Sequence, residues 1–559
     1  MWKNDNILPL ALLLLTACSK NSGSSGSPSP VTPPGYFQLS QATINGAKTA
    51  SANYNIGISP VIRFSFTAPV DHASAAASII FKDNAGTTVP FTPAFENGDS
   101  TVLIQPSAAL KHLTSYIVQA ATNLNDRAGD KLSSTGLLHF LTSLDSADKF
   151  PRVSDSALLD GVQKQTLTYF WDFGHPVSGL ARERTSSGDV VTTGGSGFGI
   201  MAMIAGASRG FISRQDLLTR LQTIAQFLSD TTRVHRYHGA FSHWMNGATG
   251  ATIPFSSKDD GGDIVETSYM MQGLLCARQY FNSTSAAAEI SLRATIDTIW
   301  KAVDWNWYRQ NGQNTLYWNW SPNYGWAIGL RIGGWSEALI TYVLAASAVN
   351  PIPKNVYDNG WALNGTMANG KFFYGIKLPL GPDEGGPLFF AHYSFLGIDP
   401  HQLSDAYANY WTQDTAHSRI NYLYCLNNPG GYYGYSSQCW GLTASDEPNG
   451  YSAHSPTTDD GVITPTAAIS SLPYTPVESM NAIRFFYYTL GDKCWGKYGF
   501  TDAFSLGSIW FDSDCLAIDQ GPEIVMIENY RSSLLWNLFM SCPEVQQGMK
   551  NLGFTSPHF

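Results

Sequence analysis

Residues 259–273 read Asp-Asp-Gly-Gly-Asp-Ile-Val-Glu-Thr-Ser-Tyr-Met-Met-Gln-Gly. Asp259, Asp260 and Asp263 crowd a glycine turn, Glu266 follows about one helical turn later, and residues 267–277 carry no charge. A helix that is acidic at its mouth and apolar all round is a buried helix aiming carboxylates into a cavity. Paired carboxylates in partly dry surroundings exchange protons near neutral pH, which is what glycosidic bond cleavage needs. The pair also fits a variant capping box, with Asp263 as N-cap and Glu266 reaching back from the first turn. The two readings are compatible. Capping accounts for Asp263, whereas the face of Glu266 continues through Tyr269, Met270 and Gly273, which suits an interior.

The elements that would position these acids recur along the chain. A glycine-rich approach feeds an apolar helix at 194–199, at Gly261-Gly262-Asp263, at Gly333-Gly334-Trp335-Ser336-Glu337 and at Glu384-Gly385-Gly386-Pro387. It returns less clearly near Thr464-Pro465-Thr466 and last at Asp519-Gln520-Gly521-Pro522-Glu523. More ordinary amphipathic patterns lie between, as at 217–228 and 290–303. About six alternating pairs predict an (α/α)6 toroid, with an irregular α-solenoid as the alternative. The glycine-entered helices would be the inner ones, because packing at the mouth leaves no room for side chains. Glu337 and Asp519 then occupy places corresponding to Glu266, at the starts of inner helices. Pro522 suits a first helical position, with Glu523 and Glu528 further along.

Aromatic loops surround these acids. Trp244, Trp320, Trp326, Trp335, Trp440 and Tyr433 sit among Asn, Gly and other aromatic residues. Such rings stack on sugars unless the core claims them. Arg182 and Arg184, in Gly179-Leu180-Ala181-Arg182-Glu183-Arg184, and Arg331 are placed to bind substrate or to hold carboxylates.

The chain has 559 residues, enough for two domains, with 14% charged and 13% aromatic side chains. A formal charge of −10 argues against nucleic acid. Abundant rings and sparse charge suit carbohydrate. At the N-terminus, Lys3 precedes a short apolar run, 7–15, that ends in Leu15-Thr16-Ala17-Cys18. This resembles a bacterial lipobox and predicts a signal peptide over 1–18, lipidation of Cys18 and a Ser/Gly/Pro tether over 19–35. The expected location is the cell envelope, lipid-anchored in the outer membrane on its periplasmic or surface face, with no other membrane contact. Residues 36–146 alternate in short runs between turns and resemble a bacterial Ig-like β-sandwich. The helical domain is expected over 152–559. In an oxidising compartment Cys425 with Cys439, and Cys494 with Cys515, which flank loop-like segments, are plausible pairs, the sequence leaving the pairing open, whereas Cys276 reads as a buried thiol. No Cys/His spacing fits zinc, and His72, His112 and His139 fit no ligand pattern, so no metal is expected.

Four motifs together carry a further resemblance: residues 179–184, 193–199, Asp260-Gly261-Gly262-Asp263-Ile264-Val265-Glu266-Thr267 and Ala517-Ile518-Asp519-Gln520-Gly521-Pro522. The region 152–555 resembles the glucoamylase-like domain of Bacteroidetes lipoproteins, and most of all the inverting β-1,2-glucanases of glycoside hydrolase family 144. The resemblance implies the (α/α)6 fold, hydrolysis of linear β-1,2-glucan to sophorose and short sophoro-oligosaccharides, and no cofactor; a monomer is expected. Under it, Glu266 is expected as the acid, because apolar neighbours raise its pKa. Asp519 is the leading base and Glu337 the runner-up. Asp259 and Asp263 would bind hydroxyls or tune the pair, with Asp446 and Glu447 as outside candidates. Two other classes stay open at this point. One is a hydrolase, lyase or phosphorylase for another glucan, and the other a non-catalytic glycan-binding lipoprotein.

Overall fold

The computed structural model describes residues 36–559. The expected signal peptide, Cys18 and tether lie outside the described residues. The chain divides into two compact units, the first ending at Phe140 and the second running from Leu141 to Phe559 apart from short exchanged segments.

In the first unit, β1 (Leu39–Ile44), β2 (Ala47–Lys48), β3 (Ile62–Phe66), β5 (Ala94–Glu96) and β6 (Thr101–Ile104) form one sheet in the order β2-β1-β3-β6-β5. A second sheet has the order β4-β7-β8, from Ile79–Asp83, Ser115–Ala120 and Gly136–Leu141. Side-chain alternation sets what each strand buries. Ile62, Phe64 and Phe66 point inward while Arg63 and Ser65 stay half-buried, and Phe81, Val102 and Val118 complete the core. His72 stacks on Phe95 with ring centroids 3.7 Å apart.

The second unit is the expected toroid. Its inner segments are Thr193–Ser208, Ile264–Tyr280, Leu339–Ser347, the 3-10 turns Leu388–Ala391 and Ser394–Leu396, Pro465–Ser470 and Ala517–Ser532. Thr193–Ser208 packs against both Ile264–Tyr280 and Ala517–Ser532, so the last inner helix closes on the first. That closure distinguishes a ring from a solenoid. The outer helices are amphipathic: Arg214–Ser229 is capped by Ser213 and buries Leu217, Leu218, Leu221, Ile224 and Leu228.

Glycine sets the closeness of the first two inner helices. A methyl group on Gly197 would lie 2.1 Å from the Tyr269 carbonyl oxygen, and one on Gly273 would lie 2.2 Å from that of Gly197. Backbone contact there brings the start of one helix against the Glu266 side chain of the other.

Two expectations need correcting. Pro522 is not at a first helical position: its helix begins at Ala517 and carries Pro522 inside. Neither of the two plausible cysteine pairs is bonded, and all six described cysteines are buried free thiols. The Cys494 Sγ donates to the Phe486 and Leu490 carbonyls at 3.4 and 3.3 Å, and Cys515 Sγ to the Phe500 carbonyl at 3.3 Å. Cys425 and Cys439 are packed in one apolar cluster with Trp440 and Leu442.

Candidate active site

Asp263 caps the Ile264–Tyr280 helix, its Oδ1 accepting from the Val265 and Glu266 N–H groups at 3.0 and 2.9 Å. Its Oδ2 faces His243 Nδ1 at 2.9 Å and accepts from Trp318 Nε1 at 3.1 Å. Both oxygens are thereby occupied inside the protein, so Asp263 is a positioning group and no longer a candidate for sugar hydroxyls. Glu266 does not reach back to complete a capping box. Its Oε2 accepts from the Gly194 N–H at 2.6 Å and lies 3.5 Å from Thr192 Oγ1. The carboxylate thus sits on the N-terminus of the Thr193–Ser208 helix, where backbone donors and the helix dipole favour negative charge. His243 Nε2 is 4.0 Å from Glu266 Oε1. Burial pushes the Glu266 pKa up, while His243 and the Gly194 N–H pull against it. For His243, burial favours the neutral ring, but Glu266 and Asp263 outweigh it and raise the pKa to about 9.

Asp259 is buried beside this group, its pKa raised to about 6 by burial and the nearby Asp263. Asp260 instead ties down the following loop, accepting from Ser321 Oγ and, at 2.6 Å, from Asn323 Nδ2.

Asp519 lies in the first turn of the Ala517–Ser532 helix, buried, with its pKa raised to about 7, chiefly by desolvation. Its carboxyl group is hydrogen-bonded to that of Asp502, whose pKa burial and the Asp519 charge push well up. Two touching carboxyl groups in a dry site cannot both ionise. The larger upward push on Asp502, with its hydrogen bond lowering Asp519, favours the shared proton on Asp502. Asp502 Oδ2 also accepts the Asp446 N–H at 2.7 Å. Arg184 clamps Asp446 through Nη1 at 2.6 Å and Glu183 through Nε at 2.9 Å. Of the two expectations for Arg184, the geometry fits holding carboxylates in place.

Glu337 occupies a turn just before the Leu339–Ser347 helix and is half-buried. Burial raises its pKa to about 7, against its own backbone N–H. Tyr269 lies within electrostatic reach of Glu337 and Glu266, and Tyr393 within reach of Asp519, Tyr451, Tyr269 and Glu337. The tyrosines pack edge-to-face at 5.7 Å. Glu266, Glu337 and Asp519, from three inner segments, therefore share one mouth of the toroid.

The aromatic candidates divide. Trp244 lies opposite Thr192 in a short antiparallel pairing and packs against Phe255 at 4.8 Å. Trp320 pairs with Gly262 beside the acidic loop. Trp326 is half-buried and joins Trp307 and Trp320 in one aromatic wall. Trp335 is only 4% exposed, surrounded by Trp361, Phe395 and Tyr410, so it has no ring face for a sugar. Trp440 is fully buried and donates through Nε1 to the Glu478 carbonyl at 3.2 Å. Tyr433 packs on the same apolar cluster. Trp335 and Trp440 are core, not substrate contacts, whereas Tyr433 stays half-buried at the cluster's edge. Arg182 is likewise spent: it donates to the Phe173 and Gly188 carbonyls and lies over the Phe173 ring.

Sequence reasoning missed His243, Asp502, Tyr269, Tyr393 and Tyr451 as members of the site. His243 had a signal, standing beside Trp244 in an aromatic loop. Asp502 had none, since it reaches Asp519 only through the fold.

Residues 329–543 match the family described as Putative glucoamylase, and residues 40–142 match the bacterial Ig-like domain. An endo-β-1,2-glucanase from Chitinophaga pinensis, solved with sophorotriose and glucose, is 50% identical over 73% of this chain and all of its own, with a TM-score of 0.71. A β-1,2-glucanase from Parabacteroides distasonis is 37% identical over 94% of this chain and 74% of its own, with a TM-score of 0.70. An exo β-1,2-glucooligosaccharide sophorohydrolase (non-reducing end) from Parabacteroides distasonis is 45% identical over 430 residues, 73% of this chain. The match spans 59% of that relative's own length. The chain belongs to the glucoamylase-like family that includes these β-1,2-glucan-degrading enzymes, and it carries a bacterial Ig-like domain ahead of its (α/α)6 toroid.

Proposed function

We propose that this protein is a glycoside hydrolase that cleaves β-1,2-glucan or its oligosaccharides, with inversion, to sophorose and short sophoro-oligosaccharides. The observation that carries the reading is the convergence of Glu266, Glu337 and Asp519 on one mouth, two of them with pKa values raised to about 7. The relatives' printed activities supply the linkage.

Glu337 is assigned as proton donor in preference to Glu266, which the sequence had favoured. A general acid must hold its proton at working pH and reach the leaving oxygen. Glu337 is half-buried, and only its own backbone N–H favours its ionised form among the causes that act on it locally. Glu266 accepts the Gly194 N–H and faces His243, both of which favour its ionised form against the burial that raises its pKa, and at 6% exposure it is less able than Glu337 to reach a leaving oxygen. Asp519, kept ionised by the proton on Asp502, acts as base, directly or through one hydroxyl or water. Inversion needs an acid and a base on opposite sides of the scissile bond, and these two stand on different inner segments.

Lipidation at Cys18, anchoring in the outer membrane and a monomeric state belong to the same proposal. The lipobox-like Leu15-Thr16-Ala17-Cys18 supports lipidation and anchoring, and radiolabelled palmitate incorporation with and without Cys18→Ser tests the anchor. The catalytic reading is tested by incubation with β-1,2-, β-1,3-, β-1,4- and α-linked glucans. Turnover confined to the β-1,2 polymer or its oligomers is expected, and binding without turnover on every glucan would overturn it.

A further inference from the structure

We propose that Glu447, His454 and Asp460 bind a divalent transition-metal ion of the zinc or manganese class, at a site separate from the three converging acids. One ligand atom from each residue lies within 4.8 Å of the other two. Glu447 ends the strand Ala444–Glu447, which pairs with Gly450–Ala453; His454 follows that hairpin directly, and Asp460 arrives after one short loop.

The imidazole is the informative member. His454 is fully buried, and neither ring nitrogen meets full hydrogen-bonding geometry among the described residues, with the Thr458 backbone and Asp460 as polar groups facing the ring. Its Nδ1 faces Asp460 Oδ1 at 3.1 Å. An unsatisfied buried polar group is costly, and a metal ion is one of the few occupants that satisfies it without a donor. Burial favours the neutral ring, which is the ligating form. The Glu447 and Asp460 carboxyl groups are also in contact. A proton or a cation between them would relieve the repulsion of the two carboxylates. Imidazole nitrogen and carboxylate oxygen are both ligands that zinc accepts, and three protein ligands leave a fourth position for water. The imidazole selects transition metals over magnesium and calcium, which prefer oxygen alone. The same hairpin carries Asp446 and Tyr451, which neighbour Asp519 and Asp502. An ion held by Glu447, His454 and Asp460 would fix the hairpin to the loop that follows.

The test uses the full-length protein, stripped with a chelator and titrated with Zn²⁺, Mn²⁺ and Ca²⁺ by calorimetry and thermal unfolding. One Zn²⁺ or Mn²⁺ per chain is expected, with a rise in Tm of several degrees. Loss of a mere supporting partner of a metal ligand costs about 10–100-fold in affinity, so Asp460→Asn and His454→Gln should lose at least that much. Asp460 is exposed, so its variant tests the site even where replacing buried His454 prevents folding. Three results would overturn the proposal. They are no saturable binding by any ion, equal binding in the Asp460→Asn variant, or a response to Ca²⁺ alone. The first of these would assign the Glu447–Asp460 contact to a shared proton.

Discussion

Glu266 Oε2 accepts the Gly194 N–H at 2.6 Å, and a methyl group added at Gly194 would lie 2.5 Å from that same oxygen. One glycine thus supplies both the donor that holds the carboxylate and the space it fills. Gly194→Ala is expected to displace Glu266 and to cost about 1–3 kcal/mol through overpacking. Activity should fall more than the loss of folded protein explains. Parallel thermal unfolding and kcat measurements check this.

Glu337 and Asp519 should shape the pH–rate profile. The acid must be protonated, so kcat/KM falls as pH rises through about 7, the pKa to which burial raises Glu337. The base must be ionised, so the rate falls as pH drops below the Asp519 value, also about 7. A narrow bell near neutrality is expected. Glu337→Gln should abolish the alkaline limb and lower kcat by about 10²–10⁴-fold, the usual worth of general acid catalysis. A profile flat from pH 6 to 9 in the unmodified enzyme would contradict the assignment.

His243 gives the clearest linkage between pH and stability. Its folded pKa is raised from 6.5 to about 9, after burial is opposed by Glu266 and Asp263. A raised histidine pKa means the folded state binds the proton more tightly than the unfolded one. The resulting stability is fully present below about 6.5 and is lost as pH rises through about 9. The Tm gap between wild type and His243→Gln should therefore be widest near pH 6 and shrink through pH 9. A gap independent of pH would show that the ring acts by packing alone.

The tryptophans separate by role. Trp335→Ala and Trp440→Ala remove core rings and should each destabilise by about 3–5 kcal/mol. Their KM should stay near the wild-type value wherever the variants remain folded. Trp244→Ala and Trp320→Ala, beside the acidic loop, should raise KM with a much smaller loss of stability. Chevron or denaturant titration together with Michaelis analysis distinguishes the pairs.

Periodicity made the toroid legible, because burial on all sides leaves a helix uncharged and close packing demands glycine at its entrance. Thr193–Ser208 and Ile264–Tyr280 show both signals in full. The short inner segments at 388–396 and 465–470 were faint because one or two turns cannot display a helical period. Acids at helix starts were visible for Glu266, Glu337 and Asp519. Their division of labour was not, since it depends on which donors face each carboxylate across the ring: Gly194 and His243 for Glu266, Asp502 for Asp519. Aromatic loops misled at Trp335 and Trp440, where flanking turn residues mark segments that nonetheless pack inward. Cysteine spacing misled similarly, because the thiols find backbone carbonyls instead of one another.

The most direct test is the anomeric form of the first product, followed by proton NMR within the first turnovers on β-1,2-glucan. Direct displacement by a water that Asp519 activates, with Glu337 protonating the leaving oxygen, predicts that the new reducing end appears as the α-anomer and only later mutarotates. Initial release of the β-anomer would contradict the account, since it requires a covalent glycosyl-enzyme step that this arrangement of acids does not propose.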